Sequence, residues 1–454
     1  MAISTINPTT GKLVKKFTEH TSNQVEILIK NAHQRFINYK DAAYQEKKEL
    51  MLNAANILRE SAHHYGKILT LEMGKTFSQA VAEVEKCAWV CEYYAENAET
   101  ILQNEIIDTE ATESYVQFNP IGVVLAVMPW NFPFWQVFRF AAPALMAGNV
   151  CLLKHASNVP MCALAIEEIF KQAGFPEHSF KTLLIGSSGV EEIINNKFVK
   201  AATLTGSEFA GKKVASACGN ALKKTVMELG GSDPFIVFAD ADIDSAVKTA
   251  VTARLINNGQ SCIAAKRFII VKEIYNEFTK KFVEQMKAVK IGDPMNAETQ
   301  LGPIAREDLL YELDDQVSRS VKKGAELLCG GKRLDREGFF YEPTVLGNVT
   351  HEMPAYYEEI FGPVASVIKA SDKDDAIRIA NDSPFGLGAA LFTSDIHKAK
   401  EYAHQINAGS VFINGMVKSD PRLPFGGINA SGYGRELSHY GIKEFVNIKT
   451  VWIK

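Results

Sequence analysis

The spacing of apolar residues changes along the chain between a helical period and a strand period, and these changes predict its secondary structure. From Ser22 to Leu102, apolar residues recur every three or four positions, which predicts helices. This spacing is seen in Val81, Val84, Ala88, Cys91 and Ala95. Before this region, the composition of residues 7–11 is typical of a turn between two short strands.

Two series of alternating strands and helices follow, and they predict two doubly wound α/β units that meet near residue 228. In the first series, apolar runs predict strands at 122–128, 149–153, 181–185 and 201–205. In the second series, strands are predicted at 235–238, 268–271, 364–368, 389–392 and 410–413, and helices at 276–290, 308–323 and 372–381. Strands that alternate with helices in this way form parallel sheets.

Two further segments have the strand period but lie outside these series. Residues 110–117 are interpreted as one arm of a hairpin, and residues 445–453 as a terminal strand. A lone terminal strand exposes unpaired backbone groups along its edges. We therefore expect the terminal strand to pair with a partner chain.

Composition and charge exclude several classes of protein. The 454 residues are too many for one hydrophobic core, and 46% of them are apolar. The net charge is −4 and the chain has no basic run, which argues against nucleic acid as the main partner. No apolar run approaches the roughly 18 residues that span a bilayer, and the first residues lack the features of a signal peptide. We therefore expect no membrane partner.

The seven cysteines are an odd number without a Cys-x-x-Cys pair, which predicts reduced thiols and a cytoplasmic location. Most of them lie in apolar segments, where a cysteine is usually a small buried residue. These six are Cys87, Cys91, Cys151, Cys162, Cys218 and Cys329. Cys87 and Cys91 have no histidine pair nearby, so no metal site is expected.

Cys262 lies in a different setting, the segment Gly-Gln-Ser-Cys-Ile-Ala at 259–264. This segment follows a predicted helix at 243–258, and its residues are turn-forming rather than periodic, so a substrate can approach the thiol. Glu228 lies upstream at a predicted strand end, before two glycines. A nucleophilic thiol and a separate carboxylate base can form and then hydrolyse a thioester. Taken singly, each residue also has a structural interpretation, as a buried cysteine or a solvated strand end.

Cys262 and Glu228, in this order and spacing, resemble the aldehyde dehydrogenase superfamily. The matching segments are Pro-Trp-Asn-Phe-Pro at 129–133, Thr-Gly-Ser-Glu-Phe-Ala-Gly at 205–211, Glu-Glu-Ile-Phe-Gly-Pro at 358–363, Leu-Pro-Phe-Gly-Gly at 423–427 and Ser-Gly-Tyr-Gly-Arg-Glu at 431–436. The resemblance implies two doubly wound parallel-sheet domains and a small β arm. The expected parts are a Rossmann-like cofactor-binding domain at 1–109 and 120–227, a catalytic domain at 228–418, and oligomerisation strands at 110–119 and 440–454.

The resemblance implies a chemical role for three residues. Cys262 attacks the aldehyde as a thiolate, and the Asn131 side chain and the Cys262 backbone N–H stabilise the oxyanion. Glu228 then activates the water that releases the acid, whereas release to coenzyme A would need no such base. Without the resemblance, Asn131 would be interpreted as a turn residue.

The resemblance also implies a nicotinamide cofactor. Lys154 would hold the adenosine ribose, and Ser157 stands where a glutamate in other members repels a 2′-phosphate. A small neutral residue there favours NADP, with NAD possible, and His155 is expected close by. The expected cofactor contacts are Trp130, Lys154, Ser157, Gly206, Ser207, Gly211, Leu229, Glu359 and Phe361. Without the resemblance, residues 205–211 form only a strand-to-helix turn of the kind that binds phosphate.

Arg139 carries the one charge in the apolar stretch 134–146, so it needs an anionic partner. Its position matches the arginine that binds the distal carboxylate in succinate semialdehyde dehydrogenases, and a structural salt bridge is the alternative. Ser419 matches a polar partner for that carboxylate. The tunnel is expected to be lined by Phe132, Trp135 and Phe425. Ile256 stands where some members carry a second arginine.

The expected function is therefore the NAD(P)-dependent oxidation of succinate semialdehyde by a homodimer or homotetramer. One alternative is a dehydrogenase for another small aldehyde, such as glycolaldehyde or lactaldehyde, which would leave Arg139 without an anion. Another is a non-catalytic structural protein with this fold. The presence of Cys262, Glu228 and Asn131 together argues against the structural protein.

Overall fold

The computed structural model describes residues 3–454 and has an α/β fold with two large sheets. The strands are β1 (Ser4–Asn7), β2 (Lys12–Lys16), β3 (Glu105–Ile106), β4 (Glu113–Pro120), β5 (Val123–Met128), β6 (Val150–His155), β7 (Phe180–Thr182), β8 (Val199–Thr205), β9 (Lys224–Glu228), β10 (Pro234–Val237), β11 (Arg267–Val271), β12 (Glu326–Cys329), β13 (Thr344–Gly347), β14 (Val364–Ala370), β15 (Gly388–Phe392), β16 (Ser410–Ile413), β17 (Gly432–Tyr433) and β18 (Val446–Ile453).

The helices connect the strands and cover the sheets. They are α1 (Ser22–Tyr39), α2 (Tyr44–Glu60), α3 (Ala62–Met73), α4 (Phe77–Ile101), α5 (Trp135–Met146), α6 (Pro160–Gln172), α7 (Val190–Asn195), α8 (Glu208–Asn220), α9 (Ile243–Leu255), α10 (Tyr275–Lys287), α11 (Glu307–Lys322), α12 (Pro354–Tyr357), α13 (Lys373–Asn381), α14 (Ile396–Gln405) and α15 (Ser438–Lys443). Short 3₁₀ helices lie at Ser187–Gly189, Ile256–Gly259 and Asn429–Ser431. None of the helices described for residues 3–454 is long and apolar enough to cross a bilayer.

The first large sheet has six strands in the order β17-β9-β8-β5-β6-β7. The strands β9 to β7 are parallel, and β17 joins the edge antiparallel, with Gly432 opposite Glu228. The central strands are continuous apolar runs because helices cover both faces. The carboxyl ends of β5, β6 and β8 meet at one edge of this sheet, which is where α/β proteins bind ligands.

The second large sheet has seven strands in the order β12-β13-β14-β11-β10-β15-β16. Its strands are parallel except for β12, which pairs antiparallel with β13. The two parallel sheets confirm the predicted fold class. The sequence did not predict β12, β13 or β17, and through β17 the chain returns to the first sheet after leaving the second. The predicted domain boundaries stay predictions.

The terminal strand differs from its prediction. β18 is not a lone strand, because it pairs antiparallel with β4 of the same chain along its whole length, from Val446 opposite Pro120 to Ile453 opposite Glu113. β4 also pairs with β3, which provides the second arm of the predicted hairpin. The prediction of a lone terminal strand is therefore wrong, since an internal partner is available. β18 nevertheless lies at an edge of its three-stranded sheet.

Candidate active site

The loop that carries Cys262 begins with a sharp reversal of the backbone. The helix predicted to reach residue 258 ends at Leu255, because Asn257, Asn258 and Gly259 have φ values of 58°, 57° and 74°. Asparagine and glycine tolerate this left-handed conformation best. A side chain at Gly259 would also collide with the carbonyl of Gly362. The thiol is therefore held outside the helix.

Hydrogen bonds tie this loop to the segment that contains Asn131. The Asn257 side chain donates to the carbonyl oxygens of Asn131 and Gln260, at 2.8 and 2.9 Å. Asn131 Nδ2 donates to the carbonyl of Gln260 at 3.1 Å. On the other side of the loop, Lys266 Nζ donates to the carbonyl of Cys262 at 2.7 Å. The structure thus brings together two residues that the sequence predicted to share a site.

Asn131 and the backbone at Cys262 still have hydrogens to donate. Gln136 donates to Asn131 Oδ1 at 3.1 Å, which orients the Asn131 amide with its nitrogen toward Gln260. One N–H of this amide goes to Gln260, and the second remains available. Among residues 3–454, the backbone N–H of Cys262 has no hydrogen-bond acceptor. Two such donors can stabilise an oxyanion next to the sulfur.

The buried ion pair of Lys75 and Glu83 supports the backbone at Asn131. Nothing in the sequence predicted this pair. Lys75 Nζ pairs with Glu83 and donates to the carbonyl of Asn131 at 3.0 Å. Glu83 Oε1 in turn accepts hydrogen bonds from the backbone N–H groups of Phe134 and Trp135, at 2.9 and 3.0 Å. These two side chains therefore hold both Asn131 and the first turn of α5.

The Cys262 side chain is partly exposed, whereas the other six cysteines are buried. Although it borders a cavity, protein surrounds it closely, and this burial raises the pKa of the Cys262 thiol to about 12. The positive charges of Arg139 and Lys266 oppose this shift. Burial therefore favours the thiol over the thiolate, and forming a thiolate needs a proton acceptor.

Glu228 ends β9 with only 2% of its surface exposed. Neither carboxyl oxygen has a hydrogen-bond partner within the described part of the chain. Burial raises the pKa of Glu228 well above its usual range, the negative charge of Glu436 raises it further, and Arg139 and Arg435 oppose the shift. A carboxyl group with a raised pKa can exchange protons near neutral pH.

Glu228 lies behind the wall of the cavity rather than in it. Its carboxylate packs against Gly426, where an added Cβ would lie 2.6 Å from Glu228 Oε1. Gly426 follows Phe425, which does line the cavity. The structure therefore places Glu228 next to the predicted tunnel, and any water that it activates must reach it past this wall.

A cavity of about 200 Å³ opens beside Cys262, large enough for a short aldehyde. Its apolar walls include the three aromatic residues predicted for the tunnel, Phe132, Trp135 and Phe425. Ile256, which stands where some family members carry a second arginine, lies in the same wall. Arg139 and Ser419 also line it, so the predicted substrate residues share one cavity.

Arg139 is already paired in this structure. Its guanidinium forms an ion pair with Glu436, and it donates to Thr205 Oγ1 at 3.1 Å. It also lies 4.8 Å from the ring centroid of Phe425. The structural salt bridge, which the sequence left as an alternative, is therefore present. The sequence could not reveal the partner, since Glu436 is distant along the chain.

Lys86 is a second cation in the cavity wall, and it was not among the substrate residues predicted from the sequence. Its ammonium donates to Ser419 Oγ at 2.8 Å and lies 4.3 Å from the ring centroid of Trp135. Gln79, Glu83 and Lys86 recur in α4 at helical spacing, and all three line the cavity. This polar stripe was the available signal, although such a stripe usually faces solvent.

A larger cleft of about 1480 Å³ holds two of the predicted cofactor residues. Lys154, near the carboxyl end of β6, and Ser157, just after this strand, line the cleft together with Arg306 and Arg333. Lys154 is nearly buried, with 7% of its surface exposed, and Ser157 is half-buried. The neutral Ser157 leaves this part of the cleft open to an anionic group.

His155 is not available to a ligand in this cleft. Its Nε2 lies 2.8 Å from the carbonyl of Pro133, and its Nδ1 lies 3.2 Å from the carbonyl of Met128. Burial lowers the pKa of His155 to about 4. The expectation that it lies beside a 2′-phosphate is therefore wrong, because the strand β6 extends through His155 and turns its side chain into the core.

The predicted phosphate-binding turn follows β8. Ser207 is the N-cap of α8, and its hydroxyl accepts a hydrogen bond from the backbone N–H of Ala210 at 3.4 Å. Gly206 and Ser207 leave the N-terminus of this helix accessible, which suits an anion. Gly211 packs against Leu229, with which a Cβ at residue 211 would collide.

Glu359 and Phe361 lie near the thiol loop, outside the walls of both cavities. Glu359 Oε1 accepts a hydrogen bond from the backbone N–H of Gly231 at 3.0 Å and lies 3.4 Å from Lys266 Nζ. The Phe361 ring packs edge-on against Trp130, with 5.7 Å between centroids. The structure does not bring these residues into one cavity with Lys154 and Ser157.

Comparison with known proteins agrees with this arrangement. Residues 1–451 match the model of the aldehyde dehydrogenase family. The chain is 52% identical over 453 residues to a probable NADP(+) succinate-semialdehyde dehydrogenase of Synechocystis sp., and each chain is covered completely. It is 53% identical over 456 residues to NADP(+) succinate-semialdehyde dehydrogenase 1 of Mycobacterium tuberculosis, again over all of both chains.

Solved structures show the same similarity. The succinic semialdehyde dehydrogenase of Streptococcus pyogenes, in complex with NADP+, superposes with a TM-score of 0.98 at 40% identity, over the full length of both chains. The protein Gox0499 superposes with a TM-score of 0.99 at 42% identity, also over both full lengths. With the thiol loop, the buried carboxyl group and the cavity in place, this chain is a member of the aldehyde dehydrogenase family.

Proposed function

We propose that this protein oxidises succinate semialdehyde to succinate with NADP as the cofactor. The observation that carries the proposal is the cavity beside Cys262, which is apolar along its length and has cationic and hydroxyl groups in its wall. A four-carbon aldehyde with a distal carboxylate has the matching polarity. The relatives described above are named as succinate-semialdehyde dehydrogenases that use NADP(+), and they are similar to this chain over its whole length.

The first step is addition of the Cys262 sulfur to the aldehyde carbon. The thiol proton must leave as the C–S bond forms. We assign it to the ionised form of Glu228, which passes the proton to solvent before the second half of the reaction. The aldehyde oxygen takes the negative charge, and Asn131 Nδ2 and the Cys262 backbone N–H donate to it. Because protein hydrogen bonds already orient Asn131, this donor needs no rearrangement during the reaction.

The second half of the reaction releases the acid. A bound nicotinamide cofactor would supply the hydride acceptor for this oxidation, and Cys262 would then carry the acyl group as a thioester. Glu228 accepts a proton from water as the water oxygen attacks the thioester carbon. The C–S bond then breaks, the sulfur leaves as thiolate, and the product is a carboxylic acid.

The residues that face the cleft fit a nicotinamide dinucleotide with a 2′-phosphate. Lys154 supplies a positive charge, and Ser157 supplies a hydroxyl in place of a repelling carboxylate. The helix N-terminus after Gly206 can accept the pyrophosphate. The proposed cofactor contacts remain Trp130, Lys154, Ser157, Gly206, Ser207, Gly211, Leu229, Glu359 and Phe361.

We also propose a homo-oligomer, either a dimer or a tetramer, in the cytoplasm. The three-stranded sheet of β18, β4 and β3 has exposed apolar side chains. Ile106, Ile448 and Trp452 are exposed over 73%, 60% and 47% of their surface. Apolar residues at an unpaired strand edge favour association with a second copy. All seven cysteines are free, which is typical of a reducing compartment.

Steady-state rates for succinate semialdehyde, butanal, glycolaldehyde and lactaldehyde, each with NADP and with NAD, test the proposal. A charge-assisted contact to the distal carboxylate contributes about 2–4 kcal/mol, so kcat/KM for succinate semialdehyde should exceed that for butanal by roughly 30- to 1000-fold. NADP should be preferred over NAD. Equal rates with butanal, or faster rates with glycolaldehyde, would contradict the substrate assignment.

A further inference from the structure

The cavity beside Cys262 has two buried or half-buried cations in its wall, and an internal carboxylate neutralises only one of them. Arg139 pairs with Glu436, and its remaining polar contact is Thr205. The charge of Arg139 is therefore matched before any substrate enters. Burying a further anion against this pair would place two carboxylates around one guanidinium.

Lys86 is in the opposite situation. Among residues 3–454, no carboxylate oxygen lies within 4.0 Å of its ammonium, and its hydrogen-bond partner is the neutral hydroxyl of Ser419. The nearest acidic groups are engaged elsewhere, since Glu83 pairs with Lys75 and Asp420 pairs with Arg422 at 2.7 Å. A cation withdrawn from water without an anion is costly, unless a ligand supplies the anion.

On the basis of the proposed function, we propose that Lys86, together with Ser419, binds the distal carboxylate of the aldehyde, while Arg139 positions Glu436 and the cavity wall. One carboxylate oxygen accepts a hydrogen bond from Lys86 Nζ. The other accepts from Ser419 Oγ, whose own hydrogen is free because the hydroxyl at present accepts from Lys86. Lys86 is thus the residue that distinguishes an anionic aldehyde from a neutral one.

The surroundings of Lys86 suit this role. Burial and, to a smaller extent, the positive charge of Arg139 lower the pKa of Lys86 to about 8. An entering carboxylate relieves both effects, because it offsets the lost hydration and screens the two cations from each other. The Trp135 ring lies against the ammonium and fixes its direction toward Ser419.

The test compares kcat/KM for succinate semialdehyde with that for butanal in three variants. Lys86→Met keeps the length of the side chain without its charge, and the ratio of the two values should fall by about 30-fold or more. Lys86→Arg keeps the charge, and the ratio should stay within about tenfold of the wild-type value. Lys418 lines the same cavity but is exposed, so Lys418→Met should change the ratio less than about threefold.

A second readout does not depend on catalysis or cofactor. Succinate carries the same carboxylate, so it should slow the alkylation of Cys262 by iodoacetamide in the wild-type protein and in Lys418→Met, but not in Lys86→Met. If Lys86→Met does not fold, Lys86→Gln replaces it, since glutamine can still donate to Ser419 without a charge.

The outcomes separate this inference from the proposed function. A wild-type protein that does not prefer succinate semialdehyde over butanal contradicts both. A wild-type preference that survives in Lys86→Met or Lys86→Gln, with succinate still protecting Cys262, overturns the inference alone. A preference lost in Lys418→Met but kept in Lys86→Met would also overturn it, by assigning the contact to Lys418.

Discussion

Glu436 and Arg139 form an ion pair whose side chains are almost fully excluded from solvent, with 5% and 2% of their surface exposed. The pair lies beside Glu228, and its two members shift the pKa of that carboxyl group in opposite directions. Removing one member would leave the other charge buried without a partner. The pair therefore connects the stability of the cavity wall to the protonation of Glu228.

Replacing Arg139 by alanine should reduce activity toward charged and neutral aldehydes alike. The uncompensated Glu436 should lower the free energy of unfolding by about 3–5 kcal/mol. Urea denaturation and kcat/KM for succinate semialdehyde and butanal would measure the two effects. The double variant Arg139→Met with Glu436→Leu should recover most of the lost free energy, since hydrophobic replacement of a buried pair is often neutral. A loss confined to succinate semialdehyde would instead identify Arg139 as the carboxylate-binding residue.

Glu228→Gln should slow release of the acid more than formation of the thioester. Glutamine cannot accept the proton of the attacking water, so the acyl group should accumulate on Cys262. Stopped-flow absorbance should then show a burst of reduced cofactor of about one equivalent per site, followed by a slow steady rate. Cys262→Ala, which cannot form the thioester, is the matched control and should show neither phase. Unchanged turnover without a burst in Glu228→Gln would show that another group activates the water.

Ser157→Glu should shift the cofactor preference from NADP toward NAD. A carboxylate there would repel the 2′-phosphate next to Lys154 and could accept hydrogen bonds from a free ribose. The ratio of kcat/KM with NADP to that with NAD should fall by about tenfold, because one unfavourable charge contact near a protein surface costs about 1–4 kcal/mol. Ser187→Glu adds a carboxylate elsewhere in the cleft and should change the ratio less. An equal shift in both variants would mean that net charge, not the position of Ser157, determines the preference.

The preference for the anionic aldehyde should decrease above pH 8. Lys86 must be protonated to bind a carboxylate, and its pKa of about 8 lies below the usual lysine value. The groups that act on it are Arg139, which lowers the pKa, and Cys87, Glu83 and Asp420, which raise it. The ratio of kcat/KM for succinate semialdehyde to that for butanal should therefore be constant below pH 7 and fall between about pH 8 and 10. Taking the ratio removes the titration of Cys262, which affects both aldehydes equally. In Lys86→Arg the ratio should stay flat over this range.

Local sequence identified Cys262, whereas most of the other predicted residues that line the same cavity were assigned through the resemblance. Cys262 stood out because the turn-forming residues Gly259, Gln260 and Ser261 precede it. The structure has a sharp turn there, since residues 257–259 all have positive φ. Lys86 and Glu436 could not be found in this way. Each has an ordinary local sequence, in a helix and in a loop, and becomes significant only through a neighbour that is distant along the chain. The pairing of β18 with β4 was missed for the same reason, because the sequence of a strand does not identify its partner.

The strand β17, which pairs with β9 in the first sheet, lies far along the chain from the other strands of that sheet. All strands of the two large sheets except β17 precede residue 414, and the segment that follows supplies Ser419, Phe425 and Glu436 around the thiol. During synthesis, Cys262 therefore emerges from the ribosome long before the residues that enclose it. Until residues 419–436 dock, Cys262 has no complete substrate cavity around it. Catalytic competence therefore depends on the synthesis and docking of residues 419–436.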